Sequence, residues 1–434
     1  MNHPPLTVRA LRCRIVQAPM KRPLGTSVAR MEFAPFLLLD LQTEEGITGR
    51  AHAFCYMDLS APAMRRVLKT AAELIEGLAV DPAAIGQICR NRFMLLGTQG
   101  IVGMALSTLD VACWDAVSQA AGQPLARYLG GAVTAVPAYN SNGLGLAEPD
   151  TLGEEAEALR REGFDAVKVR LGRADPMEDL NAVRAVRAAM PDTSPLMADY
   201  NQALSAEDAL QRGAALDGEG LNWIEEQLAH DDFRGSAALA AAIETPVQIG
   251  ENFTGPDVLA TAIDSSASDY VMPDLMRIGG VSGWLRASEF AAAAGVPMSS
   301  HLYPEVSVHL LAATPTAHWL EYMDWAEPFL TAGVTISDGR AQVPDTPGTG
   351  VDWDEDAVDR FAVAAVAKGR DTTLWLKDDS ISCHFGRSRC AFFTRCGEWT
   401  AAAVVSPLRE SLGATASIAR PSAIGCFWQV GPSG

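Results

Sequence analysis

Residues 163–172, GFDAVKVRLG, hold a short apolar run carrying two basic residues, with helix-forming sequence on either side. The same unit recurs along the chain. Phe164–Leu171, Leu196–Asn201, Leu221–Glu225, Val247–Glu251, Tyr270–Asp274 and Val296–His301 are six apolar runs of strand length, separated by Ala-rich stretches of helical spacing. Strand–helix alternation of this density implies βαβ units and a parallel sheet. The polar ends Arg170, Asp199, Glu225, Glu251, Asp274 and His301 follow one another at a nearly even beat. That beat is close to the roughly 30 residues that a βα unit of a closed eight-stranded barrel takes. The stretch from Val136 to about Val343 therefore reads as a modified (β/α)8 TIM-type barrel.

The sequence before it has a different grammar. Phe36–Leu41 is a strand-length run followed by Gly46 and Gly49, which mark a turn. From Leu106 the positions Leu109, Cys113, Ala116 and Ala120 recur at helical spacing, and Gly122 closes the pattern. Strands followed by helices predict an N-terminal α+β unit of roughly 130 residues. The expected division is 1–135, 136–345, a C-terminal segment 346–368 and an appended tail 369–434. The tail stands apart in charge, with 7 basic and 5 acidic residues against 27 and 48 in the sequence before it. It also holds Cys383, His384, Cys390 and Cys396, a zinc-capable set whose spacing lacks a paired C-x-x-C knuckle.

The whole chain of 434 residues carries a formal charge of −19. Such a surface repels phosphate backbones and anionic lipid, so neither nucleic acid nor membrane is an expected partner. No apolar run approaches a membrane span. Arg9, Arg12, Arg14, Lys21 and Arg22 interleave with the apolar residues of the amino terminus, which shows no signal-peptide core. Eight cysteines in this length are no disulfide framework. A soluble cytoplasmic protein is expected.

In a barrel of parallel strands the C-terminal ends converge on one face. Here that face would collect Lys168 and Arg170, Asp199 and Asn201, Glu225, Glu251, Asp274 and His301. Residues two apart on a strand point the same way, so Val167, Val169 and Leu171 should face the surrounding helices. Asp199, Glu225 and Glu251 end consecutive strands. Crowded carboxylates repel, and all-oxygen ligands favour magnesium, with manganese as a substitute, over zinc. Capping of the following helix would explain one such acid better than three at equal spacing. Asp274 and His301 follow on the next two strands, and a carboxylate on one imidazole nitrogen makes the other a base near neutral pH. His318 and His52 read as structural.

This arrangement suits removal of the proton beside a carboxylate. The enediolate left behind needs concentrated positive charge, which a metal and Lys168 would supply. The glycines of Ile278–Gly283 (IGGVSG) offer a weaker, different reading as a phosphate cradle. A third reading is a non-catalytic barrel that binds metal or ligand.

From Leu11 to Phe361 the chain resembles the mandelate-racemase group of the enolase superfamily. The matching segments are GFDAVKVRLG (163–172), DYNQ (199–202), WIEE (223–226), GEN (250–252), PDLMRIGGVSGW (273–284) and the run SSHLYPEVSVHLLAATPTAHWLE ending at Glu321. The resemblance implies Asp199, Glu225 and Glu251 as magnesium ligands and Asp274–His301 as the base. It implies Glu321 and Lys168 at the substrate carboxylate and Asn201 near the α-hydroxyl. It makes the amino-terminal unit a capping domain whose loop from Pro19 to Ala34, including Thr26, closes over a small carboxylate. Phe54, Tyr56 and Ser141 would line the pocket, and the barrel would be part of a homo-oligomer.

One position departs from the pattern. The racemases carry Lys-x-Lys, the second lysine being the base opposite the histidine, and this chain has Arg170 there. A guanidinium is a poor proton acceptor. A racemase or epimerase needs a base on each face, whereas an acid-sugar dehydratase can use His301 alone. Phe54 and Phe33 suit an apolar substrate; Lys21, Arg22, Arg30 and Glu32 suit a polar one. Both outcomes stay open on the sequence.

Overall fold

A computed structural model describes residues 5–27 and 30–363 of the chain. The tail and its Cys383–His384–Cys390–Cys396 set lie outside the described residues. The amino-terminal unit is an antiparallel meander of β1 (Val8–Gly25), β2 (Arg30–Thr43) and β3 (Thr48–Phe54), followed by helices α1 (Ser60–Ile75), α2 (Pro82–Phe93) and α3 (Gly100–Ala120). Gly46 makes the expected turn, at φ +87°. Gly49 does not, because it lies inside β3, where a Cβ would come within 2.0 Å of the Ala112 carbonyl oxygen. That glycine lets α3 approach the sheet.

The expected loop Pro19–Ala34 is for the most part a hairpin. Pro19 pairs with Phe33, Leu24 with Met31 and Gly25 with Arg30, with an irregularity between Pro19 and Leu24. Pro19 and Pro23 lack the amide hydrogens a regular ladder would use there. The β1 side of the hairpin rests on the rim of the barrel. Leu146 N–H donates to the Gly25 carbonyl at 3.2 Å, Ser27 Oγ to the Tyr200 carbonyl at 3.3 Å, and Arg22 to Glu162 at 2.6 Å.

The barrel runs in parallel order through β4 (Val136–Asn140), β5 (Ala166–Arg170), β6 (Leu196–Asp199), β7 (Trp223–Glu225), β8 (Val247–Ile249) and β9 (Tyr270–Val271). The next place in the ring is held by single parallel bridges, Val271–Met298, Asp274–His301 and Met298–Ala317. The last strand, β10 (Leu320–Tyr322), pairs in parallel with β4 and closes the circle. Val167, Val169 and Leu171 are fully buried, as their alternation with Lys168 and Arg170 requires. The strands are shorter than their apolar runs. Asn201 (φ +46°), Glu226 (φ +48°) and Gly250 (φ +137°) turn the chain out of the ladder, so the polar side chains sit on or beside turns.

The α3 sequence contains two charged residues, Asp110 and Asp115, in 21. Among the described residues it is the one helix long and apolar enough, by length and composition alone, to cross a membrane. Its apolar character serves the interior instead: 61% of its most apolar 18 residues are buried inside the fold. The phosphate-cradle reading of Ile278–Gly283 is also corrected. Asp110 takes the Ser282 amide at 2.9 Å and the Ser282 hydroxyl at 2.6 Å. A Cβ on Gly280 would come within 2.6 Å of that carboxylate. The protein's own anion fills the place, and the glycines permit its approach.

The carboxy-terminal stretch packs back on the meander. Trp353 Nε1 donates to Asp40 at 2.6 Å, Thr349 N–H and Oγ1 to Asp115 at 2.7 and 2.9 Å, and Val363 N–H to the Ile15 carbonyl at 3.0 Å. Buried His309 ties this stretch to both units. Its Nδ1 accepts from Ala126 N–H at 3.3 Å and its Nε2 donates to the Thr349 carbonyl at 3.1 Å. The Nδ1 contact needs the neutral ring, and burial pushes its pKa down to about 4. As pH falls from about 6.5 to about 4, the unfolded chain binds a proton that the folded one refuses, so stability is lost across that window. The loss from this group is on the order of 3 kcal/mol. Urea unfolding at neutral pH and at about pH 4.5 should show a smaller difference for His309→Gln than for the natural chain; equal differences would clear the imidazole.

Candidate active site

Asp199 and Glu225 end adjacent strands β6 and β7, and Glu251 stands two residues past the end of β8. Each presents a carboxylate oxygen to the barrel mouth, and these atoms all lie within 4.8 Å of one another. Neighbours hold each one. Asp199 accepts from the Asn201 amide at 2.8 Å and its Nδ2 at 3.1 Å. Glu225 Oε2 accepts from Trp223 Nε1 at 2.6 Å and Gln248 Nε2 at 3.2 Å. Glu251 accepts from Asn252 Nδ2 at 3.2 Å. Burial, with Asp199 and Glu321 adding to it, raises Glu225 to about 7 against the pull of Lys168. Glu226 rises to about 8, through burial and then Glu251. Three convergent hard oxygens whose ionised forms repel one another fit a small divalent cation.

Lys168 lies among these acids, 1% exposed. Its ammonium contacts Glu225 closely, Glu321 at 2.8 Å and Asp199 at 3.3 Å. Burial alone would lower its pKa, but Glu225 and Glu321 hold it well above the ordinary value. Glu321 also takes the Leu302 amide on Oε2 at 2.9 Å. Burial would raise Glu321, yet Lys168, His301 and these hydrogen bonds bring it down to about 2.

His301 Nδ1 stands 2.8 Å from Asp274 Oδ2. The other oxygen of Asp274 accepts the Met276 and Arg277 amides at 2.8 and 3.0 Å. Asp274 thus caps the short helix Leu275–Ile278 and orients the imidazole at once. Its carboxylate puts the proton on Nδ1 and leaves Nε2 facing the mouth, 3.4 Å from Glu251 and 3.8 Å from Glu321. Burial would lower the His301 pKa, but Glu251, Glu321 and Asp274 raise it to about 9. Any cation on Glu251 would weaken the largest of those three attractions.

Arg170 points to the first barrel strand. Its guanidinium donates to the Gly143 carbonyl at 2.7 Å and to Ser141 Oγ at 3.2 Å. It is buried, and its Nε has no hydrogen-bond partner. Ser141, expected in the pocket, is therefore engaged with Arg170. Phe54 is buried in an aromatic group with Tyr56 (4.5 Å between ring centres) and Trp325 (4.9 Å). The Tyr56 hydroxyl reaches Asp274 Oδ2 at 3.5 Å, and Arg277 stacks on its ring at 4.7 Å. Thr26 is half-buried just after β1. His318 is structural in this sense: Nδ1 meets Ser299 Oγ at 3.2 Å, and burial lowers its pKa to about 4.

Residues 10–130 match the family model for the mandelate racemase / muconate lactonizing enzyme N-terminal domain, and residues 151–357 match the enolase C-terminal domain-like model. The chain belongs to the mandelate-racemase group of the enolase superfamily. Its fold is that superfamily's, a capping domain with a barrel. A solved magnesium-bound enolase from an alpha proteobacterium, BAL199, is 43% identical, with a TM-score of 0.81 over 82% of this chain and 100% of that one. An enolase from Bradyrhizobium complexed with magnesium and mandelic acid is 38% identical, with a TM-score of 0.79 over 83% and 99%. The L-talarate/galactarate dehydratase of Salmonella typhimurium is 36% identical over 263 residues, 60% of this chain and 66% of that enzyme. Members of the superfamily are enzymes that use magnesium, solved relatives hold that ion, and the acidic triad here is a group that could hold a metal.

Several supporting residues escaped the sequence reading. Trp223 and Gln248 steady Glu225; the two-residue spacing of Trp223 from Glu225 was the available signal. Arg277 bonds both the Glu251 carbonyl, at 3.0 Å, and the Asn252 side chain. Glu226 was hidden because alternation assigns it to the helix side; its left-handed backbone brings it to Gly250 N–H, at 2.8 Å.

Proposed function

We propose that this chain removes the α-proton of a 2-hydroxy carboxylate with His301 as its single base, and expels a β-hydroxyl as an acid-sugar dehydratase. The observation that carries this reading is the engagement of Arg170 by Gly143 and Ser141, which leaves a permanent cation where a second base would stand. Asp199, Glu225 and Glu251 would hold magnesium, for which manganese could substitute, and the bound ion would supply charge that acidifies the α-proton. Lys168 and Glu321 receive the substrate carboxylate, Lys168 as the fixed cation beside the developing negative charge. Asn201 aligns Asp199 and faces the α-hydroxyl. His301 Nε2 takes the α-proton, Asp274 stabilises the imidazolium, and His301 returns that proton to the departing hydroxyl as water. The enol that remains tautomerises to a 2-keto acid.

Residues 1–135 serve as the cap, 136–345 as the barrel and 346–368 as the return to the cap. Thr26, Phe54 and Tyr56 line the side of the pocket that the cap provides. The four described cysteines are free thiols, three of them buried, which supports a cytoplasmic setting. Assembly as a homo-oligomer belongs to the same reading.

A racemase is the second reading, favoured by the aromatic group of Phe54, Tyr56 and Trp325 and by likeness to the Bradyrhizobium protein. Proton NMR in D2O with magnesium separates the two. The natural chain should exchange the α-proton of one enantiomer of a hydroxy acid only, and convert polyhydroxy acids to 2-keto products. Arg170→Lys should open slow exchange from the opposite face. Exchange from both enantiomers by the natural chain would overturn the single-base reading.

A further inference from the structure

Where the cap meets the barrel, an imidazole and a carboxylate are buried together without hydrogen-bond partners. His52, on β3, is 3% exposed, and Glu305, in the helix Pro304–Leu311, is 5% exposed. His52 Nε2 lies 3.4 Å from Glu305 Oε2, yet both ring nitrogens and both carboxylate oxygens lack a hydrogen bond. Aromatic rings enclose the imidazole: Phe36 and Tyr303 at 5.5 Å, Phe329 at 6.1 Å and Trp353 at 6.4 Å between centres. Beside the pair is a cavity of about 20 Å³. A water needs at least about 10–15 Å³ and two or more polar partners, and the unpartnered atoms of His52 and Glu305 supply those partners among otherwise mainly apolar walls.

Burying such a pair is unfavourable compared with an apolar pair of like size. Its position suggests what it does. The turn between His301 and the helix has two non-glycine residues in the left-handed region, Leu302 at φ +53° and Tyr303 at φ +51°. Such a turn persists only where its surroundings over-determine it. Leu302 N–H is held by Glu321 at 2.9 Å and the Leu302 carbonyl by Ser307 Oγ at 3.0 Å. From the cap, Phe54 N–H donates to the Tyr303 hydroxyl at 3.1 Å. His52 is two residues from Phe54 and shares its face of the strand, so β3 grips both ends of the Tyr303–Glu305 segment.

We propose that His52 and Glu305, bridged by one buried water, form a clasp by which the cap sets the left-handed turn and so the placement of His301 and Glu321. They are positioning residues, remote from the reacting atoms. The proposal rests on the reading of His301 as the base.

The test is the double variant His52→Phe/Glu305→Met, in the magnesium-loaded full chain. Removing both polar groups should leave the melting temperature and manganese affinity near those of the natural chain. The rate of α-proton exchange should fall at least about tenfold with KM little changed, since a misplaced base costs turnover more than binding. Glu305→Gln, which can still hold the water, should stay within about threefold of the natural rate. Natural exchange in a folded double variant would overturn the clasp. If the double variant does not fold, a high-resolution structure of the magnesium-loaded natural chain decides: a water bonded to both His52 and Glu305 supports the clasp, and an empty cavity refutes it. That structure is independent of turnover, whereas absence of exchange in the natural chain would count against the base assignment itself.

Discussion

His301→Asn should lower turnover by about 10²–10⁴-fold, the range that a positioned general base contributes, while leaving manganese binding intact. The asparagine amide can still meet Asp274, so the turn that follows keeps its support. Asp274→Asn should cost a comparable factor, because an amide facing Nδ1 no longer holds the imidazole in its basic tautomer. Asparagine caps helices about as well as aspartate. The Leu275–Ile278 helix should therefore survive, and loss of activity without loss of melting temperature would separate the two duties of Asp274. Exchange of the α-proton in D2O reads both variants. An undiminished rate in His301→Asn would remove the histidine from the chemistry.

The second large effect is expected at Glu225. Glu225→Gln removes one of three anionic oxygens and also the closest partner of the Lys168 ammonium. Manganese affinity should fall by more than the roughly 10–100-fold typical for loss of a supporting group around a metal, and turnover should vanish with it. Titration of manganese by electron paramagnetic resonance measures the first effect. Stripping the metal from the natural chain should abolish turnover but not folding, since Lys168 already lies against Asp199, Glu225 and Glu321. Restoring magnesium at about 100 times its dissociation constant should add about 2.7 kcal/mol of stability. A Glu225→Gln protein that binds manganese normally would break the assignment of the triad.

The barrel was legible because each βα unit must bury an apolar strand, and that need repeats at a fixed beat. The convergence of Asp199, Glu225, Glu251, Asp274 and His301 followed from strand direction alone. What stayed hidden depends on backbone turns and on partners distant in sequence. Arg170 could be placed on the right face, but its bonds to Gly143 and Ser141 depend on the path of the loop that leaves β4, one βα unit earlier. Glu226 obeys alternation until a left-handed residue reverses it. Gly280 carries the signature of an anion cradle, and nothing local announces that Asp110, far back in the chain on α3, is the anion. The pairing through Pro19–Ala34 went unread because the resemblance implies a loop there, and its prolines interrupt the alternation that marks a strand.

The packing of the carboxy-terminal stretch on the meander bears on the order in which the chain is made. The meander and α3 are synthesised before the barrel, but Asp40 and Asp115 are buried there with Trp353 and Thr349 among their donors. Ile15 likewise waits for Val363. At about 5–20 residues per second, the stretch of chain between them takes on the order of 10–50 s to synthesise. For that interval the first-made domain is an unfinished one, holding carboxylates that its own residues satisfy only in part. Its completion waits for residues 349–363, so throughout synthesis of the barrel the nascent cap holds buried acids whose later donors have not yet been made.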